Sequence, residues 1–167
     1  QQALELLPEN CLFLRSFVAG YLGLNYLYSG EIVPTTRAFR EAVRISQEVG
    51  NVMNTVLALC HLAELSIIQG QFYEARALYD QALALAVDSQ GHRQPIAGIA
   101  LTGLGRLMVE WNELEAATHH LMEGIELVKK WGEVGAVNGY IALARVKQAQ
   151  GDVVGAHEAI QMAQQLA

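Results

Sequence analysis

The chain has 167 residues, of which 52% are apolar and 17% are charged, and its formal net charge at pH 7 is −6. This length suits one domain or one stretch of a repeat array. An acidic chain with three lysines lacks the positive surface that binds nucleic acid by counterion release. It also lacks the basic face that holds a protein on an anionic membrane. We therefore expect no direct nucleic-acid contact and no membrane association.

One motif recurs four times along the chain. Its anchor is a residue that tolerates a left-handed turn, and the anchors follow one another after 40, 42 and 39 residues: Gly30, Gly70, Asn112 and Gly151. Seven residues before each anchor stands a small residue: Gly23, Ala63, Gly105 and Ala144. Nine residues after each anchor stands a bulky apolar residue: Phe39, Tyr79, Leu121 and Ile160.

These columns indicate a helical hairpin. The anchor ends a first helix, and the small residues let an antiparallel second helix approach closely. Such a hairpin buries both of its faces only by stacking on neighbours. The pattern therefore predicts an all-α fold, an array of antiparallel helical hairpins. We expect a single helical-repeat domain over 1–167, with repeats over about 11–50, 51–91, 92–132 and 133–167.

Eight helices are predicted, over about 11–29, 34–49, 53–69, 73–89, 94–111, 114–131, 133–150 and 153–166. Pro34 and Pro95 suit first turns of helices, and Gly50, Gly91 and Gly132 are placed to close second helices. The opening "QQALELL" matches "DQALALA" at 80–86, which predicts that residues 1–10 end a preceding repeat. We therefore expect the chain to be a fragment of a longer protein.

The two cysteines predict a reducing environment. Cys11 and Cys60 are far apart, and each lies within an apolar helical pattern. Buried free thiols are therefore expected rather than a disulfide, which is typical of a cytoplasmic protein.

The stretch "EWNELEAATHHLMEG" at 110–124 raises the question of a metal site. Glu115, His119 and Glu123 would share one helix stripe, and zinc accepts such ligands. A surface helix, however, shows the same polar stripe opposite its apolar face, and we favour a solvated stripe on the outer convex face. We expect no metal and no cofactor. Neither G-x-S-x-G nor G-x-x-x-x-G-K-[ST] occurs, so we expect no enzymatic activity.

The repeat columns resemble the tetratricopeptide repeat, with a period longer than the ~34 residues of its standard form. This resemblance implies that the hairpins stack into a right-handed superhelical array. The phrases "LRSFVAGYLGLNYLYSGE", "EWNELEAATHHLMEGIELVKKWG" and "GYIALARVKQAQGD" are similar to the sensor region of the large ATP-binding LuxR-type transcription regulators, the group that includes the activator of the bacterial maltose regulon. That resemblance implies a neighbouring ATPase module, a C-terminal helix-turn-helix, and a sensor whose inducer promotes oligomerisation.

Resemblance to tetratricopeptide grooves also implies which side chains line the concave surface formed by the first helices. The candidate positions are Tyr28, Glu64, Thr102, Arg106, Glu110, Asn138 and Arg145. Arg106 and Arg145 share one column, and two guanidiniums on adjacent helices could hold a carboxylate, a phosphate or an acidic peptide. Alternatively, they pair with nearby acids such as Glu110 and only keep the groove soluble.

The function expected from this resemblance is binding. The chain would be a sensor segment of a bacterial transcription regulator, with a small-molecule inducer or a regulatory protein or peptide in its groove and coupling to oligomerisation of the full-length protein. The alternative is a generic protein-protein interaction adaptor unrelated to transcription. Self-association through exposed repeat ends is a further possibility, because uncovered helix faces are apolar.

Overall fold

The computed structural model describes residues 7–8 and 11–167, and all of their side chains except that of residue 134. Within these residues it is all-α and contains no strand, which confirms the predicted fold class of stacked helical hairpins. The helices are α1 Leu12–Tyr28, α2 Ile32–Glu48, α3 Val52–Ile68, α4 Phe72–Leu85, α5 Ala97–Glu110, α6 Leu114–Lys129, α7 Val137–Ala149 and α8 Val153–Leu166.

The chain divides into two compact units, Gln1–Leu85 and Ala86–Ala167. The first unit stacks the hairpins α1–α2 and α3–α4, and the second stacks α5–α6 and α7–α8. The repeat boundaries and the single-domain organisation stay predictions. The predicted end of a preceding repeat, residues 1–10, lies outside the described residues apart from residues 7–8.

The four anchors end the first helices as predicted. Gly30, Gly70 and Gly151 have φ of 76°, 74° and 80°, and Asn112 has φ of 58°. In each case the residue after the anchor donates its backbone N–H to a carbonyl five residues back, as Glu31 does to Tyr26 at 2.9 Å. This bond satisfies a carbonyl at the helix end, and it requires the left-handed conformation that Gly or Asn adopts at least cost.

In the first hairpin, a small residue faces a large one across the two helices. A Cβ atom on Gly23 of α1 would lie 2.6 Å from Cε1 of Phe39 on α2, so no side chain fits at this position without displacing the ring. Phe39 is 1% exposed and belongs to a cluster of buried apolar residues together with Ala19, Ala42 and Leu62. The column of small residues and the column of bulky apolar residues thus meet at this contact between α1 and α2.

The second hairpin of the first unit is attached by a buried amide. Asn54, on α3, donates from Nδ2 to the Ser16 carbonyl oxygen of α1 at 2.9 Å and to Ser46 Oγ of α2 at 2.7 Å. The Asn51 side chain caps α3 by accepting from the Asn54 backbone N–H at 3.1 Å. These bonds join α1, α2 and α3, and the repeat columns gave no indication of them.

In the second unit, glycines also allow neighbouring helices to approach closely. A Cβ on Gly98 of α5 would lie 2.5 Å from the carbonyl oxygen of Gly124 on α6. A Cβ on Gly139 of α7 would lie 2.6 Å from Cγ1 of Ile125 on α6. Because both contacts exclude a side chain, glycine at these positions sets the separation of the three helices.

Three predicted boundaries were wrong. Helix α4 ends at Leu85 instead of 89, because residues 86–96 turn back on themselves with a bridge between Val87 and Arg93. Helix α5 starts at Ala97, so Pro95 lies in the turn before the helix and not in its first turn. The single helix predicted from 133 is a 3-10 turn, Glu133–Ala136, followed by α7.

Candidate functional site

In the first unit, the candidate residues occupy different surroundings. Tyr28 ends α1 and is 86% exposed. Glu64 is half-buried on α3, where its Oε2 lies 3.5 Å from His61 Nδ1. The His61 ring stacks on Phe39 of α2, with ring centroids 4.8 Å apart. Glu64 therefore lies beside the contact between the two hairpins, whereas Tyr28 is open to solvent.

In the second unit, three charged candidates lie on neighbouring first helices. Arg106 and Glu110 are on α5, Arg145 is on α7, and the two helices are in contact. The guanidinium of Arg145 lies 4.0 Å from Glu110 Oε1, and the two side chains are 64% and 45% exposed. An exposed pair at this distance contributes about 0–1 kcal/mol. The Arg145 guanidinium can therefore exchange Glu110 for another anion at little cost.

The two uncharged candidates in the second unit are placed differently from each other. Asn138 is exposed near the start of α7. Thr102 is half-buried where α5, α6 and α7 meet. Its hydroxyl oxygen would lie 2.9 Å from a Cβ on Gly124 and 3.6 Å from a Cβ on Gly139. Thr102 therefore fills the space that the two glycines leave, which is a packing position rather than an open surface.

One residue of the polar stripe on α6, which consists of Glu115, His119 and Glu123, is paired within the protein. Glu123 forms a hydrogen-bonded ion pair with Arg93, which comes from the loop before α5. His119 is exposed, and its ring meets that of His120 edge-on at 5.8 Å. Across the described part of the chain, no three His, Cys, Asp or Glu side chains are grouped so that they could hold a metal ion. The Arg93 partner was not predicted, because its loop follows no repeat column.

The carboxylate of Asp88 helps to order the loop that carries Arg93. Asp88 Oδ1 accepts the backbone N–H groups of Gln90 at 2.9 Å and His92 at 2.8 Å. These hydrogen bonds, that from His92 above all, hold the pKa of Asp88 below its usual value. The carboxylate thus stabilises the turn from which Arg93 reaches α6.

Both cysteines are free thiols, as predicted. Cys60 is buried on α3, and burial raises the pKa of its thiol well above the usual value. Cys11, which precedes α1, is half-buried, so the prediction of a buried thiol was wrong at this position. Of the helices that the structure describes, none has the length and apolar character needed to span a membrane.

The protein is a helical-repeat protein, because it consists of stacked antiparallel hairpins whose anchors lie in left-handed turns. Its first helices carry the candidate residues. Proteins of this class generally bind partners on extended surfaces. The family model described as the MalT-like TPR region matches residues 1–167, and the chain belongs to this family. This match confirms the resemblance to the helical-repeat region of regulators of the maltose-regulon type.

A solved structure shares the fold. The crystal structure of BtubC (BKLC) from P. vanneervenii is 19% identical in sequence, with a TM-score of 0.75. The similarity covers 99% of this chain and 69% of that chain. At this identity, the likeness bears on the fold alone. None of the curated proteins matches the chain.

Proposed function

We propose that this chain is a sensor segment of a bacterial cytoplasmic transcription regulator, which binds an inducer, a regulatory protein or a peptide through its first helices. Its membership of the MalT-like TPR family supports the link to a regulator. In this proposal the role is binding and not catalysis. The segment itself contacts neither DNA nor membrane, in keeping with a net charge of −6.

The observation that carries the proposal is the pair of exposed arginines in the second unit. Arg106 and Arg145 are exposed on α5 and α7, which are in contact, and the Arg145 guanidinium lies 4.0 Å from Glu110 Oε1. An anionic group that binds both guanidiniums would form charge-assisted hydrogen bonds. At Arg145 it would replace a weak contact, because an exposed pair at 4.0 Å contributes little to stability. The ligand chemistry that fits is a carboxylate, a phosphate or an acidic peptide.

Binding across two helices supplies a route to regulation. A ligand held by α5 and α7 together favours the arrangement of these helices in which both arginines reach it, and thereby shifts the population toward that arrangement. In the full-length protein, this shift would be coupled to oligomerisation. The size of the response is limited by the difference in affinity between the two arrangements.

The test of the arginine pair is a binding titration with oligoglutamate peptide and with inorganic phosphate. We expect Arg106→Ala/Arg145→Ala to weaken peptide binding roughly tenfold or more, since each tenfold corresponds to ~1.4 kcal/mol. The matched control is Arg40→Ala/Arg44→Ala, which removes two exposed arginines from α2. Binding by phosphate alone would identify a simple anion site and not a peptide site.

Two results would contradict the arginine site. If the control variant loses as much affinity as the α5–α7 variant, the attraction is a general effect of net charge. If wild-type protein binds neither probe, the pair is no anion site and only solubilises this face.

The link to transcription has a separate test in the parent gene. A phosphate-loop ATPase upstream and a helix-turn-helix downstream would agree with a regulator of this family. A parent gene that encodes neither module would refute the regulator and favour an interaction adaptor.

A further inference from the structure

Two columns at the hairpin turns are exposed in all four hairpins. Two residues before each anchor stand Tyr28, Ile68, Glu110 and Ala149, and three residues after each anchor stand Val33, Tyr73, Glu115 and Val154. Every one of these residues is exposed. Ile68 is 68% exposed although both helices of the preceding hairpin pack on α3, and Val33 is 79% exposed although α3 packs on α2. Exposure in these columns is therefore set by the turn, and a further hairpin on either side would leave it unchanged.

In the first unit, the two columns hold four large apolar side chains. We call them the tip patch: Tyr28, Val33, Ile68 and Tyr73. Both tyrosines are 86% exposed. The two hairpins of this unit pack side by side, so their turns, and the four residues beside them, lie at one edge. Single exposed apolar residues are ordinary on a protein surface, but a group at one edge is typical of an interaction site.

The third hairpin shows that the fold does not require apolar side chains at these positions. There the two columns hold Glu110 and Glu115, and both are exposed. The turn between them still has its anchor, Asn112, in the left-handed conformation, with φ of 58°. Both columns therefore accept a charge, and the folding of a hairpin does not explain the tip patch.

The area of the tip patch suits a contact between two copies of the chain. A buried tyrosine removes about 150–250 Å² from solvent, and a buried valine or isoleucine roughly 60–120 Å². At the observed exposures, the four residues would bury roughly 350–600 Å² per copy, or about 700–1,200 Å² in all. This is the range of weak, reversible interfaces.

Charge favours one orientation of the second copy. The tip patch is uncharged, and its tyrosine hydroxyls can stay in water at the rim. Glu31 follows the first anchor, and Gln71 follows the second. If the first turn of one copy lies on the second turn of the other, Glu31 meets Gln71. Turns paired with themselves would instead bring two Glu31 carboxylates together, which is unfavourable.

We infer that two copies of this chain dimerise through the tip patch, with the first turn of each copy on the second turn of the other. This arrangement places Tyr28 on Ile68 of the second copy, and Val33 on Tyr73 of the second copy. Because both copies use the same surface, two-fold symmetry closes the contact and no third copy adds to it. This inference does not rest on the arginine pair or on the proposed link to transcription.

The first test is sedimentation analysis of the 167-residue protein and of two variants, Ile68→Glu and Tyr73→Glu. Each variant places at its column the residue that the third hairpin carries there. The average mass of wild type should rise with concentration to that of a dimer and no further. Each variant should associate at least roughly tenfold more weakly, because a charge would lie in the desolvated contact.

Cross-linking tests which turns meet. In a Cys11→Ser background, chains with Tyr28→Cys and chains with Ile68→Cys are mixed and oxidised; Cys60 is buried. The mixture should give a disulfide-linked dimer, and either chain alone should give far less, because its new cysteine then faces a residue without a thiol. No cross-link in the mixture, or equal cross-linking of either chain with itself, would overturn the arrangement.

Met122→Glu is the matched control, because Met122 is 56% exposed on α6 and lies outside the tip patch. It should associate as wild type does, and circular dichroism should show equal helix content in all variants. A wild type that stays monomeric would overturn the inference. So would growth past a dimer, association that Ile68→Glu and Tyr73→Glu both leave intact, or an equal loss in the Met122 variant.

Discussion

The buried amide of Asn54 gives a direct test of how the first unit is held together. Its Nδ2 donates to the Ser16 carbonyl oxygen at 2.9 Å and to Ser46 Oγ at 2.7 Å. The residue is 5% exposed, so water has little access to replace either bond once the amide is removed. We therefore expect Asn54→Ala to destabilise the protein by loosening α3 from both helices of the first hairpin.

The size of the effect follows from the two bonds. Each neutral hydrogen bond contributes about 0.5–1.5 kcal/mol, and leaving a buried partner unsatisfied raises the cost, which gives roughly 2–3 kcal/mol in all. The higher helix propensity of alanine offsets up to ~0.7 kcal/mol of this. The net loss should be about 1.5–2.5 kcal/mol. For a chain of this length, that corresponds to a fall in Tm of roughly 3–10 °C.

Thermal and urea unfolding, followed by far-ultraviolet circular dichroism, measure this loss. The matched control is Asn25→Ala on α1, the same substitution at an exposed site whose Nδ2 donates to the Tyr21 carbonyl oxygen at 2.9 Å. Its free energy of unfolding should change by no more than ~0.5 kcal/mol. Because both substitutions gain the same helix propensity, the difference between them reports the buried bonds.

Equal Tm values for the two variants would refute the reasoning. A double-mutant cycle with Ser46→Ala examines the Nδ2–Oγ bond itself. If this bond is the main loss, the double variant should be more stable than the sum of the single effects predicts. A coupling energy near zero would assign the destabilisation to the Ser16 carbonyl or to a cavity.

Three further predictions concern packing, pH and thiol reactivity. Gly23→Ala should cost about 1–3 kcal/mol, because its Cβ would lie 2.6 Å from the Phe39 ring. In urea unfolding, Gly20→Ala on the same helix should be neutral or stabilising, and equal stability of the two variants would contradict the packing argument. The Gly155 backbone N–H, which donates to the Asp152 carboxylate at the start of α8, lowers the pKa of Asp152. The stabilisation from this hydrogen bond is therefore present above the usual Asp pKa and is lost as pH falls through the lowered pKa. The Tm advantage of wild type over Asp152→Asn should therefore shrink on acidification, and a constant difference would contradict this linkage. Cys60 should react with a thiol reagent only as fast as the protein opens, and labelling at the rate of the urea-unfolded chain would show that it is not buried.

The parts of the fold that could be read from the sequence are those set by local geometry. A left-handed turn needs Gly or Asn, so the anchors at Gly30 and Asn112 identify helix ends without any tertiary information. The contact of Gly23 with Phe39 could also be predicted, because a small residue and a bulky apolar residue stand sixteen positions apart in every repeat. Regular spacing turns such a tertiary contact into a sequence pattern.

The features that could not be predicted depend on partners that do not recur. Asn54 reaches Ser16 across 38 residues, and Arg93 reaches Glu123 across 30. Neither pair has an equivalent in the other repeats, so no column marks it. The loop at 86–96 could not be predicted for a related reason. The Asp88 carboxylate accepts hydrogen bonds from the loop's own backbone at Gln90 and His92, where the sequence pattern favours a continuing helix or its end.

The candidate site shows the same limit at the level of single side chains. Thr102 and Arg106 occupy candidate columns on one first helix, yet Arg106 is exposed while Thr102 is half-buried against Gly124 and Gly139. A column predicts the direction in which a side chain leaves its helix, but its exposure depends on the size of the residues opposite. Where two glycines face a position, the neighbouring helices come close enough to enclose even a threonine. The exposed candidate surface in the second unit is therefore narrower than the columns imply, because Thr102 is enclosed while Arg106, Glu110, Asn138 and Arg145 are exposed.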